Sequence, residues 1–169
     1  MDAWILIGMM GAGKSTIGAL LAERTGRDFV DTDKLIERRL GRSISQFFGY
    51  YGEEAFRDHE TSIIKSIAAG PIVVATGGGA ILRDENRDHL RSIGKLIYLQ
   101  SEPEELIRRL KSSKKKRPLL STENWESSLT SILECRKGRY EEADIIVTVD
   151  DSHQEAVVER IIKLLEAGS

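Results

Sequence analysis

The chain has a single cysteine, Cys135, which excludes an internal disulfide framework and any CxxC metal or redox site. Long hydrophobic runs are missing too. The longest fully apolar stretch near the start is Ala3 to Ile7, far too short for a membrane span or a signal-peptide core, and Asp2 is the wrong charge for a basic leader. Nor is there an excess of one sign of charge: 25 Lys and Arg stand against 27 Asp and Glu, a net charge of −2. That balance argues against a chain that coats nucleic acid or an anionic membrane. No repeat or low-complexity linker divides the sequence. His59, His89 and His153 lack metal-ligand spacing and read as surface residues. What is present suffices for a core: 169 residues, 40% of them hydrophobic, fit one domain over 1–169 and not two. The expectation is a single domain in a reducing, cytoplasmic compartment.

Short apolar runs alternate with amphipathic stretches. Trp4–Ile7, Phe29–Val30, Ile72–Ala75, Leu96–Leu99 and Ile145–Val147 read as five strands. Ile17, Leu20, Leu21 and Ala22 share a helical face that Gly26 closes, and Ile63, Ile64 and Ile67 recur at helical spacing before Gly70-Pro71. Ser152 with Glu155 reads as a capping box for a last helix carrying Val157, Val158, Ile161, Leu164 and Leu165. Uniformly apolar strands alternating with helices imply an α/β fold whose parallel sheet is covered on both faces. Ligands of such sheets bind beyond the carboxyl ends of the strands.

The motifs sit there. Gly8-Met9-Met10-Gly11-Ala12-Gly13-Lys14-Ser15 fits G-x-x-x-x-G-K-[ST] between the first strand and the first helix. Its backbone N–H groups can curl around phosphates, Lys14 can reach the β- and γ-phosphates, and the Ser15 hydroxyl can meet Mg²⁺. A phosphate loop specifies a nucleotide and not a reaction. Neither asparagine, Asn86 or Asn124, begins an N-K-x-D guanine motif, and no strand ends in Asp-Glu as in many motor ATPases. A small kinase remains.

Asp31 and Asp33 follow the second strand. At alternate positions of a strand end both would project the same way. Asp31 suits the metal, directly or through water, and Asp33 suits an acceptor hydroxyl. The competing reading makes Asp33 the N-cap of a helix Lys34–Leu40.

Taken together, Gly8-x-x-Gly11-x-Gly13-Lys14-Ser15-Thr16, Asp31-Thr32-Asp33 and Gly41-Arg42-Ser43-Ile44 resemble the shikimate kinase family. Gly52-Glu53-x-x-Phe56-Arg57-x-x-Glu60, Thr76-Gly77-Gly78-Gly79, Arg117-Pro118-Leu119-Leu120, Arg136 and Tyr140 extend the resemblance from Trp4 to about Val147. It implies ATP-dependent phosphorylation of the 3-hydroxyl of shikimate, on the route to chorismate and aromatic amino acids. It also implies a nucleoside monophosphate kinase-like P-loop fold, a three-layer α/β/α arrangement with strand order 2-3-1-4-5, and a monomer. Residues 33–61 would form the shikimate-binding region and 111–123 a mobile lid. ATP would be held by Gly11, Ala12, Gly13, Lys14, Ser15, Thr16, Arg109 and Arg117, with Arg109 packing on adenine. Shikimate would be held by Asp33, Arg57, Gly78, Gly79 and Arg136. The catalytic set is Asp33, Lys14 and Arg117, and Mg²⁺ would sit at Ser15 and Asp31.

These roles agree with the residue types. A carboxylate is best gripped by bidentate guanidinium groups. Glu60, three residues after Arg57 on a helix, reads either as a surface ion pair or as a group that holds Arg57 in place. Phe48 and Phe56 read as ring wall or as core. Residues 108–117 carry seven basic side chains and no acid, a cationic loop that could close over phosphates. Within it Lys114, Lys115 and Lys116 read as solvated. Cys135 reads as a small buried side chain. Two rivals remain: a related kinase for another polyol or acid such as gluconate, and a nucleotide-binding module without catalysis.

Overall fold

The computed structural model describes residues 2–120 and 122–168. Residue 121, inside the expected 111–123 lid, lies outside the described residues, as do 1 and 169. Five strands, β1 (Ala3–Ile7), β2 (Asp28–Asp31), β3 (Ile72–Ala75), β4 (Gly94–Gln100) and β5 (Ile145–Thr148), form one parallel sheet in the order β2-β3-β1-β4-β5. The α-helices are α1 (Lys14–Thr25), α2 (Thr32–Leu40), α3 (Ile44–Lys65), α4 (Asp84–Ile93), α5 (Pro103–Lys111), α6 (Trp125–Tyr140) and α7 (Gln154–Ala167). Single 3₁₀ turns occur at Ala80–Leu82 and Pro118–Leu120.

Ile5 and Leu6 of β1 point to opposite faces of the sheet, yet neither is exposed. Helices therefore cover both faces, and this is why the strand sequences are apolar throughout instead of alternating. A second, smaller core of Ile36, Ile44, Phe47, Phe56 and Ile63 ties α2 to α3, so residues 33–61 carry their own packing. Among the described residues no helix is long and apolar enough to cross a membrane.

Several local expectations change. α2 begins at Thr32, and its N-cap is Asp31, whose Oδ1 accepts from the Lys34 N–H at 3.2 Å. Asp33 is thus neither a cap nor a strand-end residue; it lies in the first helical turn. The expected capping box at Ser152 is absent. The N-cap of α7 is His153 without a side-chain bond, because the Ser152 N–H turns back to Asp150. The capping box is instead at α3, where Ser43 and Gln46 bond each other's backbone N–H. Cys135 is exposed, not buried: the buried face of α6 is Leu129, Leu133, Arg136 and Tyr140. His59 packs edge-on to Phe47 at 5.1 Å and His89 Nε2 lies 3.0 Å from the Ile67 carbonyl, so only His153 is fully surface-exposed.

Candidate active site

Because the strands are parallel, the turns after β1, β2 and β3 emerge on one edge of the sheet. Residues 8–13 form the first. Gly13 closes it at φ 92°, a left-handed conformation that favours glycine, and α1 starts at the next residue. Lys14 is 8% exposed, and its Nζ donates to the Gly8 and Met9 carbonyls at 2.7 and 2.8 Å. Burial pushes its pKa down to about 8, with Asp33 pulling it back. The Ser15 hydroxyl donates to Asp31 Oδ2 at 2.5 Å. Asp31 thus caps α2 with one oxygen and meets Ser15 with the other.

A cavity of about 410 Å³ lies against this turn, lined by Gly11, Gly13, Lys14, Ser15, Thr16, Asp31, Asp33, Arg109 and Arg117. Ala12 does not line it: its side chain joins the core, while its carbonyl accepts from Arg109 Nη1 at 3.3 Å. Arg109 closes the last turn of α5 and also donates from Nη2 to the Asp150 carbonyl at 2.9 Å, joining the phosphate turn to the segment after β5. A neighbouring hollow runs between Arg108, Arg109 and residues 149–155, His153 included.

The adjoining cavity is lined by Asp33, Phe48, Phe56, Arg57, Glu60, Gly77, Gly78, Gly79, Arg117 and Arg136. Phe56 is 4% exposed and belongs to the smaller core, so wall and core are one role here. Arg57 is buried and donates to Glu60 Oε1 at 2.8 Å and Glu53 Oε1 at 3.2 Å. Glu60 has no exposure at all, which rules out a surface pair. Its burial pushes its pKa up, against the pull of Arg57. A Cβ on Gly79 would overlap the Arg57 guanidinium, and one on Gly77 would come within 2.8 Å of Asp33 and 2.9 Å of Glu60. Glycine is therefore what lets this turn lie against the charged groups. Among the described residues Arg57 Nε, Glu60 Oε2 and Arg136 Nη1 are buried without a hydrogen-bond partner. The two guanidinium donors suit a ligand carboxylate; the Glu60 oxygen, an acceptor, does not.

Asp33 sits between the two cavities. Burial pushes its pKa up, and Lys115 opposes this most strongly. Lys115 Nζ lies 4.0 Å from Asp33 Oδ2; the lysine is exposed but not merely solvated, and only the fold could have shown that. Arg117, partly buried, donates to Ser113 Oγ and the Lys115 carbonyl at 3.3 and 3.2 Å and lines both cavities. Every expected site residue except Ala12 thus borders one of the two cavities. The arrangement can bring a polyphosphate and a hydroxylated carboxylic acid together, with Asp33 at their junction.

A family model described as shikimate kinase matches residues 10–166. A shikimate kinase of Symbiobacterium thermophilum is 44% identical over 168 residues, covering 97% of each chain. Another, of Thermodesulfovibrio yellowstonii, is 42% identical over 96% of this chain and 94% of its own. A solved shikimate kinase from Acinetobacter baumannii in complex with shikimate superposes with a TM-score of 0.94 at 36% identity, covering 100% of this chain and 95% of that one.

Proposed function

The chain belongs to the shikimate kinase family, and on that premise we propose that it transfers the γ-phosphoryl group of ATP to the 3-hydroxyl of shikimate, giving shikimate 3-phosphate and ADP. The observation that carries this reading is the pair of buried arginines, Arg57 and Arg136, with unpartnered guanidinium nitrogens beside Gly78 and Gly79. The arginine pair could grip the carboxylate of a gluconate-type acceptor as well, and it is the family match that favours shikimate; a non-catalytic module would not account for Lys14, Asp33 and Arg117 around one cavity.

In this reading the shikimate carboxylate docks on Arg57 and Arg136, with the Gly78 and Gly79 backbone beside it. Asp33 orients the 3-hydroxyl and accepts its proton as the oxygen attacks the γ-phosphorus. The phosphates of ATP lie on Gly11, Gly13, Lys14, Ser15 and Thr16, and Ala12 contributes backbone only. Lys14 and Arg117 neutralise the charge that spreads over the transferring group, worth most where water is excluded. Residues 111–123 act as the lid and 33–61 as the acceptor-binding region. Arg109 packs near the adenine while tying the lid's base to the phosphate turn.

A divalent cation fits the donors present. Ser15 and Asp31 offer oxygen ligands only, and among the described residues no cluster of three or more His, Cys, Asp or Glu could hold a metal without a nucleotide. Mg²⁺ is the ion that binds through one or two protein oxygens, substrate phosphates and water. When bound it would neutralise phosphate charge. The reading also includes a cytoplasmic location and a monomeric state, the second of which light scattering on the purified chain tests. The deciding experiment is a coupled ADP-release assay with ATP and Mg²⁺ over a panel of hydroxy acids. Shikimate should raise ADP release far above background, and gluconate should not. No response to shikimate would overturn the reading.

A further inference from the structure

Tyr140 has no part in the chemistry above, yet it is fully buried and touches Gly78, which lines the acceptor cavity. Its hydroxyl donates to the Gly78 carbonyl at 2.5 Å and lies 3.7 Å from Met9 Sδ in the phosphate turn. Its ring stacks on Tyr98 of β4, with centroids 5.1 Å apart and an interplanar angle of 21°. Tyr98 is 2% exposed and cannot move without opening the core. Tyr140 also lies one helical turn after Arg136 on the same buried face of α6.

The turn it touches is closed by the Ala80 N–H on the Gly77 carbonyl at 3.1 Å, a bond compatible with either orientation of the central Gly78–Gly79 peptide. Gly77, Gly78 and Gly79 lack the Cβ that would oppose rotation of the peptide planes between them. Among the described residues neither the Gly78 nor the Gly79 N–H has a backbone acceptor. Among the described residues no peptide bond is cis, so the Gly79 N–H points opposite to the Gly78 C=O. An external bond that holds the carbonyl on one side therefore holds the N–H on the other.

Resting on the proposed acceptor, we propose that Tyr140 is a positioning residue: its hydroxyl locks the Gly78–Gly79 peptide so that the Gly79 N–H is presented, beside Arg57 and Arg136, to the carboxylate of shikimate. One face of α6 then supplies both a carboxylate-binding guanidinium and the bond that orients its neighbouring backbone donor.

Tyr140→Phe keeps the ring stack and removes only the hydroxyl. We expect the shikimate KM and the directly measured shikimate Kd to rise roughly three- to tenfold, the effect of one net hydrogen bond, while kcat and the ATP KM stay within about twofold. An unchanged shikimate KM, or equal losses for both substrates, would overturn the proposal. A second variant, Tyr98→Leu, removes the stack and leaves the hydroxyl; it should show the same split with a smaller rise, and no rise would count against the clamp. A ligand-free readout separates this idea from the substrate reading. If the wild-type chain does not turn over shikimate, the substrate reading fails. The Gly79 amide ¹H–¹⁵N resonance should still shift in Tyr140→Phe, and an unmoved resonance would sink the clamp alone.

Discussion

On the proposed nucleotide side of the cleft, residues 8–15 form one continuous stretch from the end of β1 into the first turn of α1. The proposed acceptor side draws Asp33 from α2, Arg57 and Glu60 from α3, Gly78 and Gly79 from the turn after β3, and Arg136 and Tyr140 from α6. The first is local geometry: glycine conformations and a helix N-terminus make a phosphate cradle wherever a strand delivers them. The second exists only once four segments meet, and it is held by buried bonds such as Arg57 to Glu60 and Tyr140 to Gly78. Binding elements set by local chain can be read one at a time. Those set by convergence carry couplings that no single segment reveals.

Substitutions can break or sharpen this contrast. Asp33→Asn, at the junction, should lower kcat by about 10²–10⁴-fold while shikimate still binds by calorimetry; normal turnover would remove Asp33 from the catalytic role. Lys14→Met should lower kcat by about 10²–10³-fold and leave the shikimate Kd unchanged. A weakened shikimate Kd would show the two sides to be energetically joined. Arg57→Ala should act on the opposite side, raising the shikimate KM by tens-fold with little change in the ATP KM. It should also destabilise the fold by about 3–5 kcal/mol, since Glu60 would be left buried without its cation, and thermal unfolding would register this. Lys115→Met should have the smallest effect, less than about fivefold on kcat/KM, because a partly exposed pair at 4.0 Å is worth at most about 1 kcal/mol. A larger loss in steady-state assays would make Lys115 a working part of the lid.

Legibility followed the same division. The phosphate turn, the five strands and the Gly26 stop of α1 were all readable, because each depends on neighbours in sequence. The same local signals misplaced two caps. Asp31, Asp33, Ser43 and Ser152 are all residues that cap helices well, and which of them does so depends on where the chain turns. Asp33 left the strand end because Asp31 took the cap. Ser152 lost its box because the segment after β5 folded back on Asp150. Arg57 and Glu60 were visible as an i, i+3 pair, but their burial was not. Ala12 was legible as part of the phosphate-loop motif through its backbone, but the burial of its side chain in the core was not.

The amino-acid sequence by itself determined the class of fold, the nucleotide-binding turn and the set of charged residues available for an acceptor, because periodicity, glycine placement and residue type act over short range. Only the tertiary structure decided which of those charges face one another. It buried Glu60 beneath Arg57, brought Lys115 to Asp33 and set the Tyr140 hydroxyl on the Gly78 carbonyl 62 residues away. Such contacts depend on how helices dock on the sheet, and docking is settled by the packing of both faces at once, which no local window of sequence contains.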